Sequence, residues 1–127
     1  MSTPRADCSL LIFILNDPDR LDDTLSAMLE AGVQGATVLE GRGMWQVLSS
    51  EVQIFTGLST LFPSTKGAKP TIVSAVPTSK IAELAAIIED VVGDLTSPGT
   101  GILMSLPLSH VWGLAKTLEI ENEEKPA

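Results

Sequence analysis

The chain of 127 residues has no tyrosine, one histidine, one cysteine and only 4% aromatic residues. Each shortage removes a class of function. A lone cysteine, Cys8, has no partner for an internal disulfide, and a single thiol suits a reducing cytoplasm, the location expected for this chain. A lone histidine, His110, has no second imidazole or second thiol with which to hold a soft metal, so no metal site is expected. So few aromatics leave no platform on which nucleobases would stack. Basic residues are scarce as well, eight against sixteen acidic ones, for a net charge of −8. That balance repels nucleic acid and anionic lipid headgroups, and neither is an expected partner. Long apolar runs are also missing. The longest, residues 10–15, is far short of the roughly 20 residues that cross a bilayer, so no membrane insertion is expected. Asp7, two residues after Arg5, and the shortness of that run also read against a secretory leader.

What is present is a core. Hydrophobic residues make up 44% of the chain, enough for one domain spanning residues 1–127. Residues 9–15 (SLLIFIL) read as a buried strand. Asp17 then caps a helix with Pro18 at its first position, and Leu21, Leu25, Met28 and Leu29 share its apolar face, with Asp19, Asp22, Asp23 and Glu30 outside it. Gly32 ends that helix, and residues 35–39 form a second strand. Residues 71–76 form a third strand, followed by Pro77, Thr78 and Ser79 as a second cap. Ile81, Leu84, Ile88, Val91 and Val92 give a second amphipathic helix, with Lys80, Glu83, Glu89 and Asp90 in water and Gly93 as its stop. Residues 101–106 form the fourth strand. Val111 and the residues up to 118 add a short further segment, and 119–127 is an acidic, solvated tail.

Between the halves lies residues 41–70, too long for a plain connection. It carries an unusual apolar load, and Ile54, Leu58, Leu61 and Phe62 fall at helical spacing, which suits a short helix. Two strand–helix–strand units joined in this way predict an α+β ferredoxin-like βαββαβ sandwich. Its four-stranded antiparallel sheet would carry two helices on one face and a long loop between strands 2 and 3. Near-continuous apolar strands imply burial on both faces of the sheet, and self-association is the simplest cover for the second.

One loop looks built for a ligand. In residues 97–105 (SPGTGILMS), Gly99 and Gly101 flank Thr100 ahead of an apolar strand. Backbone N–H groups of such loops cradle phosphate, yet glycines also serve tight turns, and no lysine or arginine lies between Lys80 and Lys116. On composition alone both readings stand.

Three stretches together resemble a known family, the PII signal-transduction proteins (the nitrogen regulatory protein P-II superfamily) and their PII-like relatives. Residues 21–38 (LDDTLSAMLEAGVQGATV) resemble the family's first helix, its Gly-Val-x-Gly turn and its second strand. Gly41-Arg42-Gly43 resembles the Gly-x-Gly that opens the family's long T-loop, here an insert over 42–69. Residues 98–104 (PGTGILM) resemble the glycine loop before the last core strand. The resemblance implies a non-enzymatic, homotrimeric regulator that binds a small effector, an adenine nucleotide in the family, in clefts between subunits. It also implies a protein partner, a transporter, channel or enzyme, engaged through residues 42–69. By position, Gly35 and Thr37 would lie beside the base. Gly41, Gly43 and Lys69 would approach from one side, and Gly99, Thr100 and Gly101 would offer backbone N–H groups from the other.

The chain departs from the family where phosphates are gripped. The lysine that normally follows the glycine loop is Ile102 here. Two arginines expected near the end of the fold fall on Gly113 and Ala115, with Lys116 close by, and Gln46 stands near the position of a T-loop glutamine. Each charge-assisted bond lost removes about 1.5–3 kcal/mol, so the phosphate grip is expected to be weak. Without tyrosine, the tyrosine modification of many members is excluded. The T-loop itself is apolar over residues 52–63 (VQIFTGLSTLFP), a surface for a partner or for the protein's own trimer.

Other residues read as structural. Ser109 beside His110 is not placed for proton transfer, Asp22 and Asp23 do not converge on one point of a helix, and Trp112 reads as a packing residue. Two rival functions are a structural trimer that binds no effector and a small ferredoxin-like enzyme.

Overall fold

Along the chain the elements are β1 (Cys8–Leu15), α1 (Leu21–Glu30), β2 (Thr37–Gly41), α2 (Met44–Glu51), β3 (Lys69–Pro77), α3 (Ile81–Val92) and β4 (Gly101–Pro107). The computed structural model describes residues 3–51 and 68–114. The apolar run near the start of the chain becomes the central strand. β1 pairs antiparallel with β3 on one side and β4 on the other, and β2 pairs antiparallel with β3, giving the order β2-β3-β1-β4. This is the expected ferredoxin-like topology, in which each strand–helix–strand unit is split by a strand of the other.

Alternation along β1 and β3 sorts the two faces. Leu11, Phe13, Leu15, Ile72 and Val76 are buried with Met28 of α1 and with Leu84 and Ile88 of α3 in one core. The helices therefore cover one face of the sheet. On the other face Leu10, Ile12 and Ile14 are half-buried, and Ile102, Met104 and Leu106 of β4 are 58%, 41% and 45% exposed. The expected burial of both faces is thus not met within one protomer. The open face is apolar across both central and edge strands.

Helix boundaries follow local chemistry. The Asp17 side chain accepts from the Asp19 N–H at 3.0 Å, capping a 3₁₀ turn over Pro18–Arg20 that runs into α1. α1 ends in a paired closure: Gly32 N–H donates to Leu29 O and Val33 N–H to Met28 O, each at 3.0 Å. Val33 and Met28 then meet in the core. Leu29, expected on the apolar face, is 69% exposed. The inward stripe is Leu21, Thr24, Leu25 and Met28, and Leu29 lies a further step around the helix. Thr24 tolerates full burial because its hydroxyl donates to Arg20 O at 2.7 Å.

Three other expectations are corrected. The second strand begins at Thr37, not 35, since the Gly35 carbonyl is taken by the Ser74 hydroxyl at 2.6 Å. Thr78 and Ser79 do not cap the second helix: the turn Thr78–Lys80 has no side-chain cap, and Thr78 Oγ1 shares a 2.8 Å hydrogen bond with Ser9 Oγ instead. Glu89 is not simply solvated, because its carboxylate accepts from the Leu95 N–H at 3.0 Å beyond the Gly93 stop. An unexpected helix, α2, opens the insert. Gly43 stands before its first turn, and the Gln46 side chain reaches back to the Gly43 N–H at 3.1 Å, half of a capping box. The helix expected over 54–62, the apolar stretch 52–63, Lys116 and the tail 119–127 lie outside the described residues. No helix among the described residues is long and apolar enough to cross a membrane.

At the far end of β1, Arg5 and Val111 exchange backbone hydrogen bonds of 2.9 and 2.8 Å, so a segment beyond β4 does extend the sheet. The Arg5 guanidinium grips the exposed Asp7 carboxylate through two bonds of 3.0 and 2.9 Å, which holds the Asp7 pKa down to about 2. Its folded value lies below the unfolded one, so this pair contributes stability above roughly pH 4 and loses it as pH falls toward 2. Carboxyl NMR titration is expected to find Asp7 near 2 in the parent and back in the ordinary range in Arg5→Ala. In urea unfolding, Leu84→Ala is expected to cost about 2–5 kcal/mol. Leu29→Ala is expected to change stability by no more than about 0.5 kcal/mol.

Candidate functional site

Four chain ends meet at one edge of the open face. Leu15, the last residue of β1, pairs with Gly101, the first of β4, while Gly41, the last of β2, pairs with Lys69, the first of β3. The chain leaving β1 supplies Asn16, the loop before β4 supplies Gly99, and the insert supplies Arg42 and Gly43. Between them lies a cavity of about 390 Å³, floored by Ile14, Thr71 and Ile102 and walled by these residues. Strand parity explains the floor: Thr71 pairs with Ile14, and Ile14 with Ile102, so all three side chains leave the same face.

The two glycines of the loop are required by different things. At Gly101, with φ of +148°, a Cβ would sit 2.7 Å from the Ile14 carbonyl oxygen and 2.9 Å from Phe13 Cε1. Only hydrogen fits between the loop and the central strand. At Gly99, with φ of +84°, the nearest atom to a Cβ would be Asn16 Nδ2 at 3.8 Å, so there the turn conformation alone favours glycine. Both readings of this loop therefore have a place: packing sets Gly101, while Gly99 lines the cavity.

Lys69 is the fixed cation of the site. Its ammonium donates to Asn16 Oδ1 at 2.5 Å, joining residues far apart in sequence. Burial pulls its pKa below the ordinary lysine value, since a partly desolvated ammonium is disfavoured. Its aliphatic stem crosses Gly43, where a Cβ would come within 3.1 Å of Lys69 Cε. The lysine thus touches both ends of the insert, its own position at the return and Gly43 at the departure. Among the described residues no aspartate or glutamate lines this cavity, in a chain whose net charge is −8.

Of the residues expected at a site, Gly41, Gly43, Lys69, Gly99 and Gly101 come together, and Thr100 does not line the cavity. Gly35 and Thr37 lie elsewhere. Gly35 borders a second hollow of about 160 Å³ between α1 and β2, lined by Leu25, Met28, Leu29 and Val38, and Thr37 pairs with Val73 within the sheet. Ile102 occupies the cavity where the family pattern has lysine. Gly113, at one expected arginine position, adopts φ of +87°, and Ala115 lies outside the described residues. Asn16, Arg42 and Thr71 are site residues that motif reading did not assign. Counting by twos would have found Asn16 and Thr71, since Asn16 follows Ile14, and Thr71 follows Lys69, on one face.

The nucleophile and acid–base candidates stand away from this cavity. Cys8 is buried at the opposite end of β1, with its thiol pushed up by desolvation. His110 stacks on Trp112 with ring centroids 5.7 Å apart, beyond the far end of β4. Among the described residues no group of three His, Cys, Asp or Glu side chains converges to hold a metal.

No protein-family model matches the chain, and no curated protein matches its sequence. Solved structures do. The crystal structure of Arabidopsis thaliana PII bound to citrate is 20% identical with a TM-score of 0.57, covering 83% of this chain and 78% of that one. A functionally unknown protein from Pediococcus pentosaceus ATCC 25745 is 14% identical with a TM-score of 0.59, covering 87% of this chain and 100% of that one. The chain has the PII-like form of the ferredoxin-like fold, as the motifs predicted.

The glycine geometry makes a graded prediction. Gly99→Ala is expected to lose about 1–2 kcal/mol of stability through its positive φ alone. Gly101→Ala should lose more, because the added methyl also meets the β1 backbone. Paired urea unfolding curves test the order, and equal losses would contradict the packing account.

Proposed function

We propose that this PII-like chain is a non-enzymatic regulator that binds a small anionic effector at the sheet-end cavity and transmits its occupancy to the insert over 42–69. One observation carries the reading: the cavity is lined by both ends of that insert, Arg42 and Gly43 where it leaves and Lys69 where it returns. A ligand touching Lys69 necessarily touches the residues from which the insert is hung. The local sign of charge supports an anion, since among the described residues Lys69 and Arg42 border the cavity and no aspartate or glutamate does. The Arabidopsis PII of similar fold is bound to citrate, itself a small anion. An adenine nucleotide would be held here chiefly by backbone N–H groups and one wall of cations, which predicts a weak triphosphate grip.

The second element of the reading is a homotrimer. Its support is the apolar open face away from the cavity, where Leu10, Ile12, Met104 and Leu106 form a continuous surface. Exposed patches of this kind mark association surfaces. The partner protein engaged through 42–69, a transporter, channel or enzyme, belongs to the same reading, as does a cytoplasmic location. A purely structural trimer is the rival, and an effector titration separates the two.

Sedimentation of the full chain is expected to give three times the 13.4 kDa chain mass. Met104→Asp, on the open face, should shift it to the monomer with its circular dichroism retained. Addition of AMP, ADP, ATP, bicarbonate or citrate is then expected to change hydrogen exchange across 43–69 for at least one of them. Unchanged exchange with every anion would remove the effector reading and favour the structural trimer.

A further inference from the structure

The sheet-end cavity divides its chemistry between two sides, and we propose that it selects a monocarboxylate bearing a compact hydrocarbon body. The carboxylate would sit on the Lys69 side and the hydrocarbon on Ile14 and Ile102. The proposal rests on the effector reading and specifies the class of effector.

The division follows from register. Lys69 opens β3 and shares the open face with Thr71, Thr71 pairs with Ile14, and Ile14 pairs with Ile102 of β4. Crossing from β3 to β4 spans two interstrand spacings, roughly 10 Å, which suits an acid of about five or six carbons lying across the strands. On the β3 side stands an ammonium whose partner, the Asn16 amide oxygen at 2.5 Å, is neutral and leaves its charge uncancelled. An ammonium has three donors, and this bond uses one. On the β4 side Ile102 is 58% exposed and offers hydrocarbon to whatever enters.

A polyphosphate fits this division poorly. Its several negative charges would face cations on one side only, and phosphate oxygens over Ile14 and Ile102 would have backbone N–H groups of the glycine loop but no cation among the described residues there. A small dicarboxylate meets the same obstacle at its second charged group. A branched short-chain acid satisfies both sides at once.

The test is calorimetric titration of the full chain with acetate, butanoate, 4-methylpentanoate, citrate, inorganic phosphate and ATP. Affinity is expected to rise from acetate to 4-methylpentanoate by about two- to fourfold per added carbon, the increment for a methylene leaving water. 4-Methylpentanoate should exceed ATP and phosphate by about tenfold, the loss expected when a charge-assisted contact is missing. Ile102→Lys, at an exposed position, should flatten the dependence on chain length and move preference toward ATP. Lys69→Met should abolish acid binding with the circular dichroism unchanged. ATP or citrate binding ahead of 4-methylpentanoate in the parent protein would overturn this inference and leave the effector reading standing. Acid binding that does not grow with chain length would do the same. Failure of every compound to bind would overturn both.

Discussion

Everything in this fold hangs on the central strand, β1. Like β3 it is hydrogen-bonded on both sides, and both of its faces are apolar. Leu11, Phe13 and Leu15 anchor the core beneath the helices, while Leu10, Ile12 and Ile14 lie under the open face. A one-residue slip in either pairing would turn the partner strand's core residues toward the open face. The same register fixes the cavity, because it sets Gly101 opposite Leu15, Ile102 opposite Ile14 and Thr71 beside them. The site is therefore a consequence of core packing rather than an addition to it.

The glycine loop illustrates how closely packing and binding are joined. Gly101 has no room for a side chain because the β1 backbone and the Phe13 ring occupy the space. A loop forced this near to the sheet presents its backbone to the cavity whether or not a ligand uses it. The glycines alone therefore carry little information about ligand chemistry. That information sits in the neighbours, in the ammonium of Lys69 and the hydrocarbon of Ile102, which differ in sign and character across a single sheet end.

Much of the fold is legible along the chain because its signals are local. Six apolar residues in a row at 10–15 make a strand apolar on both faces, and the spacing of Ile81, Leu84 and Ile88 makes a helix with one inward stripe. Gly32 and Gly93 mark helix ends that the structure places where expected. The order of elements, with three short motifs, was enough for the topology. What escaped is tertiary. Thr78 looks like a helix cap until Ser9, 69 residues away in sequence, takes its hydroxyl. Asn16 looks like a strand-ending residue until Lys69 arrives, 53 positions later. Leu29 looks like core because it is a leucine in a helix, but the angular step past Met28 carries it to solvent. Gly35 and Lys69, joined in one site by family position, fall in separate hollows of one protomer because α1 and β2 enclose the first and the strand ends enclose the second.

The two sides of the cavity also differ in what they hold still. Ile14 and Ile102 belong to paired strands of the sheet, so contact with them adds affinity without preferring any arrangement of the insert. Lys69 is different: its stem rests on Gly43 and its ammonium on Asn16, so an anion that draws the ammonium away from Asn16 alters the contact that ties the two ends of the insert together. A ligand shifts an equilibrium only by the difference in its affinity for the two states. On the proposed effector reading, that difference would reside in the head group. Hydrocarbon contact would set how much effector is needed, while the charge on Lys69 would set how far the insert responds. With Ile102 where the family pattern has lysine, binding strength on that reading would rest on the rigid sheet and the signal on the Lys69 side of the cavity.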